Sequence, residues 1–418
     1  NERTIHQAKL SRIVKKKIFD CINILGKIFQ KKNDAFFINS YLSKKNEILL
    51  SLKFLQIPMF NFNNFLDDLD IKFENNKRNW RLLEKNNNEF EVFARLIIPY
   101  QIPKIYLEGY NTLNEKVSFL GWPEKPKVIL TGSSFIDDDV FKLYAAQKTE
   151  NGSPLAINQH GGGFGSYLFV FNENHQIKIS DLFLTWGWED KSKPNVKPVC
   201  YLKYKKPLYT KNKNQKKILF IAGKGPSYST HIWSAPKSAC QWIIYFNEQC
   251  KFINTLNSEI HDNLIIRLKT IEKGWEPSYD RWKDQFPKIF IDKGNSNINT
   301  LINKSKLYIG TYNASTSVEC FSLGVPVVIY WNPYYWEINN SAKVYFDNLR
   351  KAGVFHDSPE SAAKHVNLIW ENIDDWWKSE KVTKAVNLFK NNYCYDTFNL
   401  VDKVYNTLEN EIINSKKN

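Results

Sequence analysis

The sequence predicts an α/β protein in two domains, the second built on a parallel sheet, and three observations carry that reading. The second half alternates short apolar runs with helical ones, the pattern of strands covered by helices on both faces. A polar, lysine-rich stretch, KYKKPLYTKNKNQKK at 203–217, interrupts the chain near its middle and marks a domain boundary. The length of 418 residues, with 43% apolar residues, 13 Trp, 21 Tyr and 28 Phe, is enough to fill two cores.

Residues 5–32 read as a helix, and NEILLSLKFLQI (46–57) as a second apolar-faced segment closed by Pro58. From 88 onward short apolar runs lie between turn signals: FEVFARLIIPY (90–100), KVILTGSSF (127–135), SPLAINQHGGGFG (153–165) and ISDLFLTWGW (179–188). These read as strands that each deliver a loop at the carboxyl end. Beyond the linker the expected order is strand 217–223, helix 234–256, strands 263–269 and 288–292, helix 297–304, strand 306–312, helix 315–323 and strand 326–331. The tail from 359 to 415 is helical in pattern, with Trp370, Trp376 and Trp377 spaced to pack. The expected organisation is a helical segment at 1–34, an N-terminal domain at 35–205, a C-terminal domain at 215–375, and helices at 376–418 that return to the first domain.

Composition narrows the function classes. The six cysteines form no CxxC pair and no short-spaced Cys/His set, so no metal and a reducing compartment are expected. No apolar run approaches the roughly 20 residues of a membrane-spanning helix, and the start lacks a signal-peptide core. A cytoplasmic protein, soluble or peripheral at the inner membrane face, is the expectation. The net charge of +15 has two readings, attraction to an anionic membrane or substrate and the Lys/Asn-rich bias of an AT-rich genome. Lys15, Lys16 and Lys17, with Lys27, Lys31 and Lys32, suit a membrane-facing helix, although a plain solvated face accounts for them as well. Nucleic acid is not expected as a partner: zinc-finger spacing, RNA-recognition aromatics and a basic helix with heptads are all missing. A serine-hydrolase elbow GxSxG and a phosphate loop GxxxxGK[ST] are missing too.

Four segments carry candidate chemistry. In TYNASTSVECFSLGVPVVIYWNP (311–333), Asn313 precedes Ser315, Thr316 and Ser317, which stand where a helix begins after a buried strand. Hydroxyls and free N–H groups there can receive a phosphate. Glu319, one turn in, is placed for ribose hydroxyls, which makes the segment a nucleotide-sugar geometry; an ordinary capped helix is the alternative. In QHGGGFG (159–165), Gln159 and His160 precede Gly161, Gly162 and Gly163, so backbone can approach a ligand closely and His160 can exchange a proton. A tight glycine turn beside a satisfied histidine is the plainer reading. Arg267 and Lys269, at the end of NLIIRLK, suit a phosphate or carboxylate. Asp137, Asp138 and Asp139 have the DxD spacing of metal-dependent transferases, but helix capping is preferred for them. Asp138 remains a candidate general base, with Glu108 of YLEGY its rival.

Taken together, NQHGGGFG, FLTWGW, RLKTIEKGW, TYNASTSVECFSLGVPVVIYWNPYYWE and AGVFHDSPESAAKHV resemble a bacterial family of surface-carbohydrate transferases, from about residue 35 to 390. That family is similar in turn to capsule Kdo transferases and pseudaminic-acid-type transferases. The resemblance implies a GT-B fold, two Rossmann-like domains facing a cleft, and metal-independent transfer of a sugar to a glycan or lipid-linked glycan hydroxyl. It implies a nucleotide-sugar donor, CMP-linked in the favoured case, as a substrate and no cofactor. Arg267-Leu268-Lys269 occupies the place where those enzymes carry a basic residue followed by His-Pro, a pair absent here. Asn313, Ser315, Thr316 and Ser317 correspond to their Ser/Thr-rich helix start. His160 is the first choice as catalytic residue, with base, acid and sugar ligand all open as its role. Competing expectations are a UDP- or GDP-hexose transferase, a CDP-polyol phosphotransferase, and a non-catalytic polysaccharide assembly protein.

Overall fold

The structure, a computed structural model, describes residues 21–60 apart from 23 and 27, and residues 70–80, 88–202, 215–223, 239–269, 278–395 and 397–415. The expectations for 1–20, for the linker at 203–214, for 234–238 at the start of the expected helix and for the lysines at 15–17 and 27 lie outside the described residues. Two compact units result: Asn1–Ser40 with Lys44–Ala156 and Leu408–Asn418, and Tyr41–Ser43 with Ile157–Thr407.

The first unit carries β1 (Phe36–Ile38), α1 (Lys44–Lys53), α2 (Glu89–Gln101), α3 (Tyr110–Phe119), β2 (Ile129–Thr131), α4 (Ser134–Asp137), α5 (Asp139–Glu150) and the start of β3 (Leu155–Asn158). The second takes up the end of β3 and continues with α6 (Phe171–Ile179), β4 (Leu182–Thr185) and β5 (Val196–Pro198). These five strands follow one another in the order β1-β2-β3-β4-β5, with β1–β2 and β4–β5 parallel. Every residue of β1 to β4 is buried, as strands covered on both faces require.

The remainder alternates strand and helix: β6 (Lys217–Ile221), α7 (Ala239–Thr255), α8 (Ser258–His261), β7 (Leu264–Arg267), α9 (Ser278–Gln285), β8 (Phe290–Asp292), α10 (Ile298–Lys304), β9 (Ser305–Gly310), α11 (Ser315–Leu323), β10 (Val327–Tyr330), α12 (Asn340–Lys351) and β11 (Phe355–His356). Four helices follow, α13 (Pro359–Ile369), α14 (Ile373–Lys378), α15 (Glu380–Tyr393) and α16 (Leu400–Ser415). The six strands lie in the order β11-β10-β9-β6-β7-β8, all neighbours parallel. Numbered along the chain from β6 this is 3-2-1-4-5-6, the dinucleotide-binding order, and both sheets have the Rossmann-like form expected.

Local chemistry explains the boundaries. Gly324 closes α11 in the left-handed conformation (φ 73°), and its N–H bonds the Phe321 carbonyl at 3.2 Å. Ser358 caps α13, and Pro359 begins it. Inside, Phe220, Phe252 and Tyr330 stack in sequence (5.5 and 5.1 Å between ring centres) and bind α7 to the sheet. Trp370 and Trp376 pack against the same core, and the Trp377 indole N–H donates to the Gly324 carbonyl at 3.2 Å.

One element corrects the sequence reading. FEVFARLIIPY, expected as a strand, forms helix α2. Asn88 accepts the Glu91 N–H at 3.0 Å as the helix cap, and Pro99 comes only near the end, where it interrupts little. The β-formers Phe and Val are outvoted by the cap and by a run too long for an average strand.

Candidate active site

In an open parallel sheet, ligands bind beyond the carboxyl ends of the strands, where the strand order reverses. Here that point lies between β6 and β9. Three residues tie it together. The Gly223 N–H, just past β6, donates to the Tyr245 hydroxyl of α7 at 2.8 Å. Tyr245 is hydrogen-bonded to the Thr311 hydroxyl past β9, and that hydroxyl donates to the Ile221 carbonyl at 2.8 Å. Burial pushes the Tyr245 hydroxyl far above its usual range, so it stays a neutral donor. At the end of β10 the buried Tyr330 hydroxyl has no hydrogen-bond partner among the described residues. Asn332 follows and donates to Glu248 of α7 at 3.2 Å; burial raises the Glu248 carboxyl.

The glycine loop after β3 is held from below. Gln159 is 1% exposed and turns its amide to the scaffold. Its oxygen accepts from the Trp186 N–H (3.0 Å) and the Trp188 indole (2.8 Å), and its NH₂ donates to the Gly161 carbonyl (2.7 Å). The Gly165 N–H donates to the Glu173 carboxylate at 2.6 Å, and burial pushes that carboxyl up to about 7. Gly165 has φ 71°, and a Cβ there would enter the Trp188 ring. His160 is half-buried, with Tyr41 stacked on it (5.9 Å between centres, 18°) and the Phe164 ring set edge-on (5.1 Å, 71°).

The glycine loop and the start of α11 interlock within the second unit. The Gly162 N–H donates to the Ser315 hydroxyl at 2.9 Å, the Tyr167 hydroxyl to the Asn313 carbonyl at 2.7 Å, and the Asn313 amide to the Ser166 hydroxyl at 2.8 Å. Ser166 in turn donates to the Gly163 carbonyl at 2.8 Å. A Cβ on Gly162 would stand 2.7 Å from the Ser315 Cα, so only glycine permits this approach. Tyr167 and Tyr312 both face Trp336, at 6.1 and 5.8 Å. Of the sequence candidates, Gln159, His160, Gly161, Gly162, Gly163, Asn313 and Ser315 therefore form one neighbourhood. Thr316 is half-buried in the first turn of α11; Ser317 is buried, its N–H bonded to the Ala314 carbonyl at 3.1 Å. Glu319 is half-buried, with Tyr201 feeling its charge.

The other candidates lie elsewhere or have other duties. The Arg267 guanidinium pairs with Asp292 at the end of β8 and donates to the Ser296 (2.7 Å) and Gly294 (3.0 Å) carbonyls, so it fastens the β7 and β8 ends together. Lys269 is exposed two residues on. In the first unit, Asp138 accepts the Phe141 N–H at 3.0 Å as the cap of α5, and Asp139 pairs with Lys142 at 2.8 Å. Glu108 is reassigned from base to anchor. Both its oxygens accept from Arg78, at 2.6 Å each, and one also accepts the Glu74 N–H at 3.1 Å. Arg78 holds that carboxyl down at about 2, too weak a base for a hydroxyl proton.

Several site residues went unnamed in the sequence: Tyr41, Ser166, Tyr167, Glu173, Tyr245, Thr311 and Trp336. Each acts through the partner it meets in three dimensions, and a lone tyrosine or serine carries no spacing signal. Thr311 opens the segment 311–333, Trp336 lies in its extension to Glu337, and Ser166 and Tyr167 directly follow QHGGGFG, yet nothing in those positions singles out the residue that bonds.

Strand order and loop placement define an α/β protein with two Rossmann-like sheets and a candidate site at the switch point of the second. The chain belongs to the LIC12162 family of transferases, whose model matches residues 1–408. Among curated proteins none is similar to it in sequence. Among solved structures it is similar to the wall teichoic acid polymerase TagF (11% identity, 70% of this chain and 74% of that one, TM-score 0.34). It is also similar to MurG of Acinetobacter baumannii (12%, 76% and 87%, 0.41) and to WaaG, a glycosyltransferase involved in lipopolysaccharide biosynthesis (10%, 78% and 84%, 0.34). Among the described residues no helix is long and apolar enough to cross a membrane.

Proposed function

We propose that this transferase is a metal-independent GT-B glycosyltransferase of bacterial surface-polysaccharide assembly, with its nucleotide-sugar donor held at the β6/β9 switch point. The observation that carries the reading is the interlock of the glycine loop with Asn313 and Ser315. Backbone N–H groups, hydroxyls and a histidine that converge where the loop after β3 meets the start of α11 beyond β9 suit a phosphate leaving group and a reacting hydroxyl. In this reading the first N–H groups of α11 take the donor phosphate, with Thr316 and the Ser315 hydroxyl beside them. His160 handles the acceptor proton, and the ordered loops position both reactants. Arg267 supports the site by fixing strand ends. Residues 35–205 carry the acceptor and 215–375 the donor; the protein works in the cytoplasm, with peripheral contact at an anionic membrane face.

The donor we favour is a CMP-linked acidic sugar, on the resemblance to Kdo and pseudaminic-acid-type transferases. Calorimetric binding of CMP, UDP and GDP tests this directly. CMP bound more tightly than the others supports the acidic-sugar donor, and preference for UDP or GDP moves the protein to a hexose transferase. CDP-glycerol turnover would make it a polyol phosphotransferase. Binding of none of these by the folded protein would overturn the transferase site proposed here. In a turnover assay with the preferred donor, His160→Ala is expected to lose at least about 10²-fold.

A further inference from the structure

We infer that Tyr41 is the positioning residue that fixes the imidazole plane of His160; this rests on the role proposed for His160 above. The backbone supplies the first clue. Tyr41 follows β1 with φ 59°, in the left-handed region that a bulky residue rarely occupies, and Asn39 two residues earlier has φ 46°. Such strain persists where surrounding structure imposes it, and it concentrates at functional sites. The second clue is what the strain achieves. The Tyr41 ring lies near-parallel to His160 (18°), while Phe164 closes the adjacent side edge-on at 71°. Phe164 is 6% exposed, a fixed wall, whereas Tyr41 is 40% exposed and gains little from burial. A left-handed residue chosen for stability alone would be Gly or Asn. Two rings at right angles to each other's constraint leave the imidazole one plane, and a proton-transferring group held in one plane loses little entropy on reaction.

Tyr41→Phe and Tyr41→Asn separate this role from a structural one. Protein labelled at the histidine Cε1 gives seven imidazole signals, one for each histidine, with His160 assigned through His160→Gln. In Tyr41→Phe the His160 signal is expected to stay in place. In Tyr41→Asn it should move with the lost ring current and narrow as the ring gains freedom, the other signals staying put. Melting temperature should not fall in Tyr41→Asn, because asparagine tolerates the left-handed backbone that tyrosine resists. Release of nucleotide from the preferred donor should drop in Tyr41→Asn and survive in Tyr41→Phe. An unmoved His160 signal in Tyr41→Asn, or a lowered melting temperature that accounts for the lost turnover, overturns the inference. Absence of nucleotide binding in the wild type, with the signal moving as expected, overturns the transferase site and leaves the positioning contact standing.

Discussion

Replacing Gly162 by alanine tests the interlock with a single methyl group. The new Cβ would lie 2.7 Å from the Ser315 Cα, 3.0 Å from its N and 3.2 Å from the Val318 Cγ2. The first two atoms are backbone at a helix start and cannot rotate away. Overpacking of this kind costs about 1–3 kcal/mol. Moving the loop also breaks the 2.9 Å bond from the Gly162 N–H to the Ser315 hydroxyl, worth about 1 kcal/mol. The sum is about 2–4 kcal/mol, or roughly 5–10 °C in melting temperature for a body of this size. Gly161→Ala is the control, because its Cβ would meet no backbone atom and only the Phe164 ring, at 3.2 Å; it should cost less than Gly162→Ala, about 1 kcal/mol. Scanning calorimetry of both variants decides. Equal melting temperatures for Gly162→Ala and the wild type would mean that the loop does not rest on α11, and the site as described would fall.

The remaining predictions concern single contacts. Arg267→Ala should lower stability to urea by about 3–5 kcal/mol by stranding buried Asp292, and Arg267→Lys should recover only part of it. Tyr330→Phe should leave stability unchanged or raise it by up to about 1 kcal/mol, since it removes a buried hydroxyl that has no partner among the described residues; urea titration reads the sign. For Glu173 the folded carboxyl sits at about 7 against 4.5 for the free group. The folded state therefore resists ionisation of this group: its contribution to stability is fully present below about 4.5 and is lost as pH rises through about 7. The loss is at most about 3 kcal/mol, and Glu173→Gln should remove that slope in melting curves taken across the window.

The second half of the fold was legible because its strands are short, apolar and bounded by polar turns. Helix 315–323 matched its expected limits, since Ser315 begins it and Gly324 can only end it. What escaped were elements whose signal is weak in one dimension. β11 is two residues long, and β5 is an edge strand with two of its three residues exposed, so neither offers an apolar run to detect. The candidate site was half legible for a similar reason. Glycine runs and Ser/Thr clusters announce themselves by spacing, and both motifs proved to belong to one neighbourhood. Arg267 and Glu108 were flagged as charges; their carboxylate and guanidinium partners are 25 and 30 residues away along the chain, a separation no motif records.

The interlock also bears on how the helix start could serve a phosphate. Ser315 accepts the Gly162 N–H through its oxygen, which leaves the hydroxyl proton to donate elsewhere. A hydroxyl that already accepts one bond keeps fewer orientations for its proton before any ligand arrives. Pre-fixed donors are worth more than mobile ones, because no reorganisation is needed as charge develops on a leaving group. The glycine loop thus has a reason to lack side chains that a simple turn does not explain: a Cβ on Gly162 or Gly163 would push Ser315 or Tyr167 off its bond. Ser315→Ala and Gly162→Ala should then weaken nucleotide binding alike, the one by deleting the donor and the other by freeing it. If Ser315→Ala binds nucleotide as the wild type does while Gly162→Ala does not, the loop acts by shape and the hydroxyl has no part in the site.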